Sequence, residues 1–191
     1  MLAALILAGG AGTRLGGADK AFLDLNGRPL IAHLLARLQP QAQNIAISAN
    51  GNPARFADYG LTVLPDGPLK NLGPLAGVAA GLAWAASIGA DALLTIPVDT
   101  PFIPANLAAT LTPAPAVAAY QGRQHHLVAT WRADFLPTLL TFLTTKGPHK
   151  VRDALTLAPT RQVAFPGSTD PFLNINTPED LQAAAILTGS R

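Results

Sequence analysis

The sequence predicts an α/β chain built on a mostly parallel central sheet. Strand-like apolar runs alternate with helical ones through residues 2–98, and a glycine-rich loop follows the first run directly. The composition supplies the third sign: hydrophobic residues are 49% and charged residues 13% of 191. A chain of this length can bury a sizeable core unaided, and with no linker in view it reads as one domain over residues 1–191. The absence of Cys excludes disulfides and thiolate chemistry and fits a reducing cytoplasm. Met1–Gly10 lacks a basic n-region, and its apolar run is too short for a secretory signal. The most apolar stretch, residues 75–96, is interrupted by Gly77, Gly81, Gly89 and Asp91, so no membrane span is expected. A net charge of +2 is weak for a nucleic-acid binder.

In chain order, LAALILA at 2–8 reads as a continuous buried strand. In 29–39 the apolar positions 30, 31, 34, 35 and 38 recur at helical spacing, with His33 and Arg37 opposite and Pro29 in the first turn. Strands are predicted at 44–49, 61–65 and 92–98, and a helix apolar nearly all round at 74–89. Ligands of such sheets sit beyond the carboxyl ends of the strands, which puts loops 9–20, 48–53, 66–73 and 97–104 on one rim. The second half is less regular. Alternation in 116–131 predicts two strands joined around Gly122, followed by helices near 134–144 and 149–157 and a strand at 161–165. The last helix, 177–187, opens with Thr177 as N-cap, Pro178 in its first turn and Asp180 closing a capping-box-like pattern.

The loop 9-GGAGTRLGGADK-20 carries five glycines and ends in Asp and Lys. A P-loop needs Lys after the last Gly, and Ala18 stands there. A dinucleotide fingerprint meets Leu15 in place of its third Gly. What remains is a turn whose backbone N–H groups form an anion nest, with Arg14 and Lys20 as fixed cations. Such cations suit a site where a triphosphate loses pyrophosphate; an ordinary flexible turn is the plain alternative. Asp99, directly after the strand 92–98, is either a Mg²⁺ ligand or a turn and cap residue before Pro101. Asn174 and Asn176 would share one face of a strand, and adjacent His125 and His126 would face opposite ways. From residue 121 to 161 six Lys/Arg face only Asp134 and Asp153, which is either a solvated face or an anion-binding surface. Trp84, Trp131 and Phe102 read as packing.

Four motifs in order resemble those of the molybdenum cofactor guanylyltransferases: 7-LAGGAGTRLGGADK-20, 73-GPLAG-77, 97-PVDTPFIP-104 and 172-FLNINTPEDL-181. Together they span nearly the whole chain. The resemblance implies a Rossmann-like, three-layer nucleotidyltransferase fold of the glycosyltransferase A type. It implies transfer of GMP from GTP to the terminal phosphate of Mo-molybdopterin, with Mg²⁺ held by Asp99 and pyrophosphate released. Leu7, Ala8, Gly9, Gly10, Gly12, Lys20, Asn50, Asp66 and Asp99 would contact the nucleotide. Arg14, Lys20 and Asp99 would carry catalysis, and Arg123, His125, Asn174 and Asn176 would meet the pterin substrate, the segment of the two Asn meeting either the pterin or the metal. Ser48 departs from the Asn of many relatives, leaving Asn50 to keep part of that contact. Molybdoenzyme apo-proteins or their chaperones would receive the product. The runners-up are a sugar-1-phosphate nucleotidyltransferase, a cytidylyl-transferring cousin acting on the same pterin, and a non-catalytic cofactor carrier. Gly9 after Ala8 argues for the purine nucleotide, and Lys20 with Asp99 argues against a pure carrier.

Overall fold

The computed structural model describes residues 1–9 and 19–189. Gly10, Gly12 and Arg14 therefore lie outside the described residues. Nine strands and six α-helices are distributed over those residues: β1 Leu2–Leu7, β2 Asp24–Leu25, β3 Arg28–Pro29, α1 Leu30–Leu38, β4 Asn44–Ser48 and β5 Thr62–Leu64. They continue as α2 Pro74–Ser87, β6 Ala92–Pro97, α3 Leu107–Thr110, β7 Ala116–Tyr120, β8 Arg123–Arg132, α4 Leu136–Leu143, α5 Val151–Leu155, β9 Arg161–Ala164 and α6 Pro178–Gly189.

Seven strands form one sheet in the order β5-β4-β1-β6-β8-β7-β9, and β2 and β3 form a separate hairpin. The first four run parallel, and β8 then pairs antiparallel with both β6 and β7. A parallel strand buried on both faces needs apolar residues at every position, which is how β1 reads. Its even members Ala4 and Ile6 pack with Ile31, Leu34 and Leu38 of α1. Its odd members Ala3, Leu5 and Leu7 pack with Leu75, Val78 and Leu82 of α2 and with Trp131 and Leu139. Helices thus cover both sheet faces, giving the expected three layers. Helix α2 lies close to the sheet because it is glycine-notched: a Cβ on Gly77 would stand 2.3 Å from Ser48 Oγ, and one on Gly81 2.5 Å from Leu5 Cδ2.

The parallel strands β1, β4, β5 and β6 bring residues 8–9, 49–50, 65–66 and 98–99 to one rim. Because β8 is antiparallel to β6, its beginning, not its end, reaches that rim. The hairpin turn before it has Gln121 at φ 46° and Gly122 at φ 80°, the left-handed pair that a tight β-turn demands. Segment 171–177 is not the strand its alternation suggested. It crosses the rim as a turn followed by irregular chain, tied by Ile175 N–H to the Asp99 carbonyl at 2.9 Å. The final helix starts as read: Asp180 N–H donates to Thr177 Oγ1 at 3.1 Å, and Asp180 Oδ2 accepts from Asn176 and Thr177 N–H at 2.9 Å each.

Candidate functional site

Three motifs far apart in sequence meet on this rim. Lys20 opens a 3-10 turn, Lys20–Phe22, whose N-cap Asp19 accepts from Ala21 N–H. Its Nζ donates to Asp99 Oδ2 at 3.0 Å and to Asn176 Oδ1 at 2.5 Å. Asn174 Nδ2 donates to the other Asp99 oxygen at 2.8 Å and lies 3.3 Å from Thr100 Oγ1. Both Asp99 oxygens are engaged, and only 14% of its side chain is exposed. Asn174 and Asn176 thus do face one site, through a bent segment and not through strand alternation.

Arg55 braces the turn from outside. Its Nε donates to Asp19 Oδ2 at 2.8 Å, its guanidinium lies 4.6 Å over the Phe56 ring, and Phe56 packs on Phe22. Nothing in the sequence marked Arg55, because a brace 36 residues from its partner has no periodicity. At the ends of β4 and β5, Asn50 and Asp66 exchange two hydrogen bonds: Asn50 Nδ2 to Asp66 Oδ2 at 2.6 Å and Asp66 N–H to Asn50 Oδ1 at 3.0 Å. Ser48 is buried beneath Gly77, so its hydroxyl is directed at α2 and away from the rim.

Beside Asp99 opens a cavity of about 490 Å³, lined by Pro97, Thr100 and Asn174 on one side. Arg123, His125, His126, His149, Lys150 and Arg152 line it elsewhere, and no carboxylate of the described residues does. Of the six Lys/Arg that read equally as a solvated face, Arg123, Lys150 and Arg152 therefore converge on one concave surface, and Arg132, Lys146 and Arg161 do not. The two imidazoles were expected on opposite faces, yet both line this cavity. A register shift is the reason: Ala118 pairs with His125 but Val117 with Ala129, so residues 126–128 bulge out of the β7 ladder. His125 is buried against Phe172, ring centroids 5.0 Å apart. Its Nε2 lies 3.3 Å from Asp170 Oδ2, and this buried nitrogen has no hydrogen-bond partner among the described residues. Burial pushes His125 below the ordinary imidazole value; Asp170 opposes the fall, while Arg123 and His126 add to it. Burial and the Arg152 charge lower His126 likewise, against Asp153. A second cavity, about 430 Å³, opens at the far end of β8 between Trp131, Phe135 and Leu157 and touches none of these residues.

The rim suits a hard divalent cation that brings most of its own ligands. Among the described residues no three His, Cys, Asp or Glu cluster as a metal cage. One carboxylate and an amide oxygen converge instead on a positive charge, the Lys20 ammonium, as one or two protein oxygens do where phosphates and water complete the shell. No helix of the described residues is long and apolar enough to cross a membrane.

Residues 4–160 match the family described as the MobA-like NTP transferase domain. The chain is 53% identical over 183 residues to a molybdenum cofactor guanylyltransferase of Acidiphilium cryptum, covering 96% of this chain and 93% of that one. It is 46% identical to the enzyme of the same name from Rhodobacter capsulatus, covering 96% and 94%. Its fold is similar to that of molybdopterin-guanine dinucleotide biosynthesis protein A from Archaeoglobus fulgidus, TM-score 0.79 at 21% identity, covering all of both chains. It is similar also to 4-diphosphocytidyl-2C-methyl-D-erythritol synthase from Anaerococcus prevotii, TM-score 0.75 at 11% identity, covering 99% and 96%. Identities this low speak for the fold alone.

Proposed function

The chain belongs to the molybdenum cofactor guanylyltransferases of the MobA-like NTP transferase family, and from that membership we propose how its residues divide the work of guanylyl transfer. A terminal phosphate oxygen of Mo-molybdopterin attacks the α-phosphorus of GTP. The α–β anhydride bond breaks, pyrophosphate leaves, and the dinucleotide form of the pterin is the product. The acceptor phosphate is already ionised near neutral pH, so no general base is needed, and positioning with electrostatics carries the rate.

The observation that supports this reading is the convergence of Lys20, Asp99 and Asn176 beside a cavity lined by cations. Lys20, with Arg14 and the backbone N–H groups of Gly9, Gly10 and Gly12, holds the β- and γ-phosphates and stabilises the leaving pyrophosphate. The backbone of Leu7 and Ala8 and the Asn50–Asp66 pair face the nucleoside. Arg123, His125 and Asn174 hold the acceptor, and the cavity's excess of positive charge favours its phosphate. Asp99 and Asn176 would hold Mg²⁺, which when bound offsets charge on the phosphate oxygens. In this reading the reaction runs in the cytoplasm and the product passes to molybdoenzyme apo-proteins or their chaperones.

The test is pyrophosphate release on incubation with molybdopterin, Mg²⁺ and one nucleotide at a time. Release with GTP and not with CTP is expected. Release with CTP alone would assign the chain to cytidylyl transfer, release with a sugar 1-phosphate as acceptor to the sugar nucleotidyltransferases, and none with any pair to a carrier.

A further inference from the structure

Asp99 presents a difficulty for any cation meant to sit on it, because its place is taken. One oxygen receives the Lys20 ammonium at 3.0 Å and the other the Asn174 amide at 2.8 Å. Asn176 Oδ1, the neighbouring hard oxygen, is bound by the same ammonium. Lys20 and Asp99 are 25% and 14% exposed at their side chains, so neither charge is left to bulk water. A divalent cation needs these oxygens at about 2.0–2.1 Å. An ammonium donating to both of them cannot stay where it is while that cation binds. Pushed out alone, it would leave a mostly buried rim where the cation and the ammonium share the single negative charge of Asp99. A triphosphate changes the balance, since its oxygens receive the ammonium and bridge the two charges.

We propose that Lys20 is a place-holding cation. In the nucleotide-free enzyme it occupies the oxygens of the divalent ion, and it releases them when a nucleoside triphosphate draws its ammonium away. Lys20 then has two positions and two partners: Asp99 and Asn176 in the free enzyme, phosphate oxygens in the loaded one. Cation and nucleotide consequently enter as a coupled set, and a free cation finds no site on the empty enzyme. Coupling of this kind is reciprocal, so the cation tightens the nucleotide by the factor that the nucleotide tightens the cation. The inference rests on the reading of Asp99 as the cation's ligand.

The experiment uses Mn²⁺ alone as the probe, because it shares the preference for carboxylate and carbonyl oxygens and is counted directly by electron paramagnetic resonance. Without nucleotide, Lys20→Met is expected to bind Mn²⁺ at least about tenfold more tightly than the unsubstituted protein, a factor ordinary for coupled sites. The gain should vanish in Lys20→Met/Asp99→Asn. Lys20→Met binding Mn²⁺ no more tightly than the unsubstituted protein overturns the place-holder. A double variant that binds as tightly as Lys20→Met overturns instead the reading of Asp99 as ligand, so the two failures are separable. A second measurement needs no substitution: without nucleotide, the rate at which acetic anhydride acetylates Lys20, read by mass spectrometry, should be unchanged by added Mn²⁺. A several-fold faster rate would show that the cation displaces the ammonium unaided, and overturns the proposal.

Discussion

At the residue scale the site is a matter of who holds Asp99. Lys20, Asn174 and the backbone N–H of Ile175 grip its side chain and carbonyl from three directions, and each was reachable from a motif. Asp99→Ala should lower pyrophosphate release by about 10³-fold, the scale of losing a group that stabilises transition-state charge, with the circular dichroism spectrum unchanged. Retained turnover would remove Asp99 from the mechanism. The imidazoles make a different prediction. Both are held below the ordinary value near 6.5, so the unfolded chain binds more protons than the folded one in that range. Their contribution to stability is full above pH 6.5, falls as the pH drops below it, and levels off once the folded imidazoles protonate. Urea unfolding at about pH 7.5 and about pH 5.5 should therefore show a shallower loss in His125→Gln/His126→Gln than in the unsubstituted protein. An equal loss would assign the pH dependence to other groups. The sequence displayed Lys20, Asp99, Asn174 and Asn176 because each sits in a motif with its own chemistry. It did not display Arg55 or Asp170, whose partners are set only by the tertiary fold, nor the bulge that turns His126 into the cavity beside His125.

At the scale of elements, periodicity carried most of the information. The apolar spacing of α1 and the unbroken apolar run of β1 correspond to structures observed within a residue or two. The N-terminal box of α6 was legible because capping is a local exchange of hydrogen bonds. The two-residue strands β2 and β3 were not legible, since so short a hairpin has no alternation to read, and its Asn26–Gly27 turn alone marks it. Asn174 and Asn176 alternate in sequence without forming a strand, because their segment pairs with a single backbone group of Asp99 and not with a neighbouring ladder. The notches of α2 were equally hidden. In the sequence Gly81 was only one of the interruptions of an apolar stretch, yet its missing Cβ is what lets the helix rest on Leu5 and Leu93. Gly81→Val should destabilise the fold by about 3 kcal/mol, read as a lower urea midpoint, because overpacking outweighs any gain in helix propensity. A midpoint at or above that of the unsubstituted protein would show that the two leucines yield.

At the scale of the whole molecule, the layers could be foreseen but the sheet order could not, since β8 enters beside β6 through contacts with no local sign. Both faces of that sheet are packed, and α4 and α5 cover the same face as α2. The parts of the chain before and after residue 120 should therefore unfold together. Urea unfolding followed by Trp84 and Trp131 fluorescence and by far-ultraviolet circular dichroism should give one coincident transition. Two separated transitions would divide the chain into independent units. The reversal of direction between β6 and β8 has a consequence for how such a chain changes over time. The four parallel strands β5, β4, β1 and β6 and, beyond them, the reversed β8 with β7 and β9 contribute separate walls, and Asp99 stands on the seam. Under the proposed division of roles, a lineage, or an engineer, can reshape the acceptor wall around Arg123 and His125 while the nucleotide wall is inherited intact.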